Sequence, residues 1–180
     1  MTKLIVYPET GEATPLEASE DAARIAAILA GIGVGFERWQ ASFQLPPNAD
    51  GPAVLEAYRE DIERLVQKGG YRSKDVVRLK PDHPDKAALR AKFLAEHTHD
   101  DDEVRFFVEG AGTFFLHAPG KVIELYCERG DLINVPAGAK HWFDTGEEPF
   151  FTAIRLFTSP AGWQANFTGD TIVERFTAGS

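Results

Sequence analysis

The chain has 180 residues, a formal net charge of −9 and one cysteine. A length of this order suits one domain burying roughly 70% of its unfolded surface, and an acidic balance without a basic cluster excludes binding to a nucleic-acid backbone. There is no run of about 18 apolar residues to enter a membrane, the start Met1 to Pro8 lacks a signal-peptide pattern, and Cys127 has no internal disulfide partner, so a cytoplasmic protein is expected.

The predicted elements begin with a short strand over Leu4 to Tyr7. Ser19, Glu20 and Asp21 supply a cap and an acidic first turn for a helix over Ala22 to Ala30, which Gly31 is placed to stop. A strand follows over Val34 to Trp39, then a loop over Pro46 to Gly51. From Pro52 to Lys68, Leu55, Tyr58, Ile62, Leu65 and Val66 recur at helical spacing until Gly69 and Gly70, which predicts one long helix. A strand over Asp75 to Leu79 and a helix over Pro84 to Glu96, burying Leu89, Phe93 and Leu94, complete the first half.

Beyond residue 103 the texture changes to short apolar or alternating runs broken by glycine, proline and aspartate, at 104–109, 112–117, 121–127, 131–135, 140–144 and 150–157. A turn signal every 8 to 12 residues or so is the rhythm of an antiparallel sandwich or small barrel. The fold class read from this is mainly β with added helices: a helical amino-terminal portion on a carboxy-terminal barrel, in one domain. Cys127, inside the apolar run 122–127, is expected to be a packing residue.

Between the last helix and the first of these strands lies His97-Thr98-His99, followed by Asp102, Glu103, Arg105, Phe107 and Glu109. Alternation along an extended backbone puts His97, His99, Glu103, Arg105, Phe107 and Glu109 on one face. Two imidazoles and a carboxylate suit a divalent first-row metal. His141 follows the turn Pro136-Ala137-Gly138, which can deliver it to the same wall with Phe143 beside it. Structural zinc, usually held by several cysteines, does not fit this set. His83 and His117 are assigned structural roles. Arg105 either meets an anionic substrate or forms a structural ion pair with Glu109 or another carboxylate, and Arg155 is a second candidate. Phe93, Phe107 and Phe143 line a pocket or fill the core.

The spacing of His97, His99, Glu103 and Gly110, and of Gly130, Pro136, Gly138 and His141, resembles the two motifs of the cupins. Phe36-Glu37-Arg38-Trp39, Glu96 to His99, Asp102 to Gly110, His141 to Asp144 and Phe167 to Asp170 narrow the resemblance to bacterial acireductone dioxygenases. That resemblance implies a cupin (double-stranded β-helix, jelly-roll barrel) over residues 1–180. Residues 1–96 would give helices and peripheral strands, 97–160 the metal-binding core and 161–180 an extension. It also implies a monomer with one Fe(II) or Ni(II) per chain, held by His97, His99, Glu103 and His141. Arg105 would help form the substrate dianion, while Glu96 and Asp102 would act in metal incorporation and the conformational response to it. The implied reaction cleaves 1,2-dihydroxy-3-oxo-5-(methylthio)pent-1-ene with O2 in methionine salvage. With iron the products are formate and 2-oxo-4-methylthiobutanoate; with nickel they are formate, carbon monoxide and 3-methylthiopropanoate. The competing readings are another cupin dioxygenase or isomerase acting on a different enol, and a non-catalytic cupin that binds a small ligand.

Overall fold

The computed structural model describes residues 1–177. In chain order the elements are β1 (Lys3–Pro8), β2 (Glu17–Ser19), α1 (Ala22–Ala30), β3 (Gly35–Arg38), α2 (Gly51–Ala57), α3 (Arg59–Gly69), β4 (Ser73–Leu79) and α4 (Lys86–Leu94). They continue with β5 (His97–Thr98), β6 (Glu103–Ala118), β7 (Lys121–Glu128), β8 (Asp131–Val135), β9 (Lys140–Asp144), β10 (Phe150–Phe157), β11 (Asn166–Phe167) and α5 (Glu174–Thr177).

The strands form one antiparallel jelly-roll with β6 as its spine. The first part of β6 pairs with β8 and β10, and its last part with β7 and β9. Two facing walls result, one extended by β3 and β4 and the other by β1, β2 and β5. The amino-terminal half is thus woven into both walls, with β1 on β7, β3 on β8 and β4 on β10. The main core lies between the walls, where Phe107, Phe151 and Ile133 meet Phe114, Phe143 and Leu125; Cys127 is buried there as expected. Ile25 and Leu29 of α1 join the same cluster.

The predicted long helix over 52–68 is two helices broken at buried Tyr58, whose backbone leaves the helical region at φ −107° and ψ 22°. The Tyr58 ring meets Phe106 and Phe43 edge-on, and its hydroxyl is hydrogen-bonded to the Phe43 backbone. Tertiary anchoring of one aromatic overrides the helical periodicity. Val66, expected on the apolar face, is 38% exposed, whereas Val54, Ile62 and Leu65 are buried against the outer face of β6 and β10.

The two predicted strands at 104–109 and 112–117 are one 16-residue strand. Its register against β10 slips between Thr152 and Ala153, where Glu109 and Phe107 are the successive partners, leaving Val108 as a bulge. Odd-numbered residues face inward before the bulge and even-numbered ones after it: Phe107 belongs to the inner core, and so do Phe114 and Leu116. Glu109 therefore does not share the face of Arg105. It turns outward to accept hydrogen bonds from Arg78 and Thr152.

Candidate metal centre

Each wall contributes to the site at one end of the roll. His97 on β5 is the register partner of His141 on β9, and His99 follows on the same side. Glu103 and Arg105 come from β6 on the opposite wall. The turn before β9 is tied to the first wall segment by the Gly138 amide, which donates to the His99 carbonyl at 2.9 Å; Gly138 itself has φ +80°, a conformation that favours glycine.

The imidazole centroids lie 4.4 to 5.0 Å apart, and all four side chains are buried. Carbonyl oxygens can only accept, so the Nδ1 atoms of His97, His99 and His141 donate to Ala95, Gln164 and Ala139 at 2.7 to 2.8 Å. This fixes each neutral ring with a lone pair on Nε2, as in ligand histidines held by outer-shell acceptors. The donor atoms of the three rings fall within 4.8 Å of one another. His99 Nε2 lies 3.0 Å and His141 Nε2 3.8 Å from Glu103 Oε2, yet none of these buried atoms has an aligned hydrogen bond. Buried polar groups are normally paired, and atoms aimed at a shared point instead of at each other fit a cation.

Burial, aided by the neighbouring His141, pushes the His97 pKa down to about 3. His99 is raised: burial opposes its charge, but the Glu103 carboxylate outweighs it. Burial also opposes ionised Glu103, yet the Arg105 guanidinium and the two imidazoles hold its carboxyl well below the usual range.

Arg105 donates to Glu103 Oε1 at 2.9 Å and lies over the faces of Phe114 and Phe143. Its ion-pair partner is thus the carboxylate of the donor set. Arg155, register partner of Arg105 on β10, holds Asp75 through two bonds of 2.6 and 2.7 Å. Phe143 lies against the Arg105 head group, Phe107 packs behind it, and Phe93 meets Trp163 edge-on.

Glu96 and Asp102 are not brought to the donor set. Glu96 precedes His97 and points to the opposite side, accepting from His117 at 2.6 Å and Thr168 at 2.8 Å. Together with Asp170, this pair forms a second close group of His and carboxylate atoms, but both His117 nitrogens are already engaged, the second by Glu9 at 2.9 Å. Asp102 accepts from the Ala137 amide in the turn that carries His141, and its own backbone bonds Thr158. His83 accepts from the Asp85 amide at the approach to α4.

Sequence reasoning missed Trp163. It lies 5.8 and 5.9 Å from the His97 and His99 rings and covers the donor set. It belongs to an irregular segment, where no periodicity marks a residue as inward-facing. Asp75 is likewise legible in the sequence only as the start of a strand. A groove of about 750 Å³ lies elsewhere: it is lined by residues such as Glu9, His117 and Lys140 and by none of the four donor residues.

A jelly-roll with three imidazoles and a carboxylate converging between its walls defines a cupin metalloprotein. A model of the ARD/ARD' family matches residues 3–165. The acireductone dioxygenase of Parvibaculum lavamentivorans is 62% identical, over 98% of this chain and 96% of that protein; that of Synechococcus sp. is 52% identical over 98% of each. The solved structure of a Bacillus anthracis acireductone dioxygenase, with a cadmium ion in its active centre, superposes with a TM-score of 0.78. It is 29% identical over 93% of this chain and 98% of that one. The chain belongs to the acireductone dioxygenase (ARD/ARD') family. It is a metal-dependent dioxygenase of methionine salvage, acting on a small molecule.

Proposed function

We propose that His97, His99, Glu103 and His141 hold one Fe(II) or Ni(II) ion per chain, with iron serving the salvage role. The observation that carries this is the buried, unpaired Nε2 of His99 and His141 and Oε2 of Glu103, with the three imidazole donor atoms close together. The metal supplies Lewis acidity and a redox partner for O2. Arg105, held by Glu103 and two aromatic faces, stabilises the ionised enediol and so lowers its pKa. Arg155 lines the same chamber. Phe93 with Trp163 walls the side where the apolar methylthio chain lies, and Phe143 backed by Phe107 forms the floor. Trp163 limits water at the reacting atoms. Glu96 acts in metal incorporation; Asp102, bonded to the turn before His141, transmits the conformational response.

The substrate, 1,2-dihydroxy-3-oxo-5-(methylthio)pent-1-ene, is cleaved with O2 to formate and 2-oxo-4-methylthiobutanoate in the iron form. The nickel form gives formate, carbon monoxide and 3-methylthiopropanoate. Residues 1–180 act as a single cupin unit: 1–96 supply helices and peripheral strands, 97–160 the metal-binding core and 161–180 an extension. The protein works as a cytoplasmic monomer; no helix among the described residues is long and apolar enough to cross a membrane. The test is anaerobic incubation with acireductone followed by oxygen, with products and metal content measured on protein purified without added metal. Loss of the substrate's absorbance with formate release is expected. Unchanged absorbance with iron-loaded protein would overturn the reading.

A further inference from the structure

The mechanism above uses one guanidinium, yet the chamber contains two. Arg105 and Arg155 are direct register partners on β6 and β10, both at least 93% buried. Neighbouring like charges at this depth are costly unless each is compensated. Glu103 compensates Arg105, and Asp75 compensates Arg155. Compensation is incomplete in hydrogen bonds, however: Arg105 Nε and Arg155 Nη1 are both buried and without a partner. Asp75 holds Nε and Nη2 of Arg155 in the bidentate geometry that fixes a guanidinium plane. The remaining nitrogen, Nη1, is therefore held in place rather than free to rotate. The head group sits 5.5 Å from the Phe157 ring and 5.6 Å from that of Trp163, the two rings that also contact His99. Arg155 thus borders the donor set on the side that Trp163 covers.

We infer that Arg155 is a second anion-binding residue, contacting a substrate oxygen through Nη1, and that Asp75 is the positioning residue that aims it. Charge supports the assignment. With the imidazoles neutral as ligands, Glu103 and Asp75 offset the two guanidiniums, so a divalent ion leaves the chamber with two positive charges. A planar dianion with neighbouring oxygens balances that charge, and the two arginines reach it from the β6 and β10 sides. Arg155 acts as a specificity determinant: it favours doubly ionised ligands over singly ionised ones. This rests on the proposed function for the identity of the substrate, but not for the chemistry of the chamber.

The test pairs kinetics with binding of squarate, a planar and redox-inert dianion, followed calorimetrically on the metal-loaded protein. Losing a charge-assisted bond at a buried site typically costs a factor of about ten or more. For Arg155→Gln the expected result is a rise in KM and in the squarate Kd of at least about tenfold, with metal content unchanged. The acidic limb of the kcat profile should move to higher pH, because the bound substrate then ionises less readily. Asp75→Asn should show the same changes at smaller size, with partial rescue in Asp75→Glu. The double variant should match Arg155→Gln alone, since Asp75 acts through Arg155. A merely structural pair would lower Tm while leaving KM, squarate affinity and the pH profile unmoved. That outcome, additive effects in the double variant, or failure of the unaltered protein to bind squarate would each overturn the inference. Squarate binding that depends on Arg155 in a protein without acireductone turnover would instead overturn the proposed function and leave this inference standing.

Discussion

Arg105 touches the Glu103 carboxylate of the donor set and the faces of Phe114 and Phe143. Arg105→Ala is expected to keep its metal, because the three rings and Glu103 remain, while kcat/KM falls about 100-fold or more through lost charge stabilisation. Metal analysis beside steady-state kinetics checks both halves. His99 gives a second expectation. Its pKa is raised by the Glu103 carboxylate, so as pH falls it takes up a proton before His97, which stays neutral down to about 3, and that proton must leave before Nε2 can bind a cation. Apparent metal affinity should therefore fall as pH drops through the range where His99 protonates, with proton release on binding growing as it falls. Calorimetry in buffers of different ionisation enthalpy measures that proton; none released would mean that His99 is already neutral.

At the scale of elements, β6 decides the site because one strand serves both walls. Its bulge at Val108 and the following Gly110 let it present Arg105 inward from one wall and Phe114 inward from the other. Gly110 has φ +68°, and a Cβ there would lie 1.9 Å from the Phe150 carbonyl oxygen. Gly110→Ala should cost more than about 3 kcal/mol, from an incompatible backbone and a clash with a neighbouring strand. The expected fall in Tm is about 6 °C or more for a chain of this size, read by thermal unfolding of the apo protein. The strand periodicity gave the inward residues up to Phe107 correctly and Glu109 incorrectly. A bulge depends on the partner strand's register, which no single-strand pattern contains.

Across the whole molecule, His117 joins parts distant in the chain. Its imidazole bridges Glu9 after β1 and Glu96 before β5, while Thr168 of the carboxy-terminal segment bonds the same Glu96 carboxylate. Burial opposes the charge on His117, but the two carboxylates raise its pKa above the ordinary 6.5. A raised histidine contributes stability that is fully present below its unfolded value and lost as pH rises through the folded value. The unaltered protein should therefore lose stability as pH rises from about 6.5 through that higher value, and His117→Gln should lose less over the same range because only His99 then contributes that dependence. At about pH 6 the variant should be less stable by about 1–3 kcal/mol. Denaturant unfolding across this range tests it, and parallel pH dependence in both proteins would refute the bridge.

The sequence by itself determined which four donor residues would come together, and most of the elements. Spacing around His97, His99, Glu103 and His141 is local, glycine and proline mark the turns, and the period of two in strands is set by backbone geometry. The helix over Ala22–Ala30 and the strands Asp131–Val135, Lys140–Asp144 and Phe150–Phe157 have the expected bounds. Only the tertiary structure decided what surrounds the four donors: Asp75 behind Arg155, Trp163 over the rings, Glu109 turned away and Glu96 committed to His117. Each of these depends on contacts between segments far apart in the chain, and such contacts follow from how two walls pack and shift in register, not from the order of residues along either one.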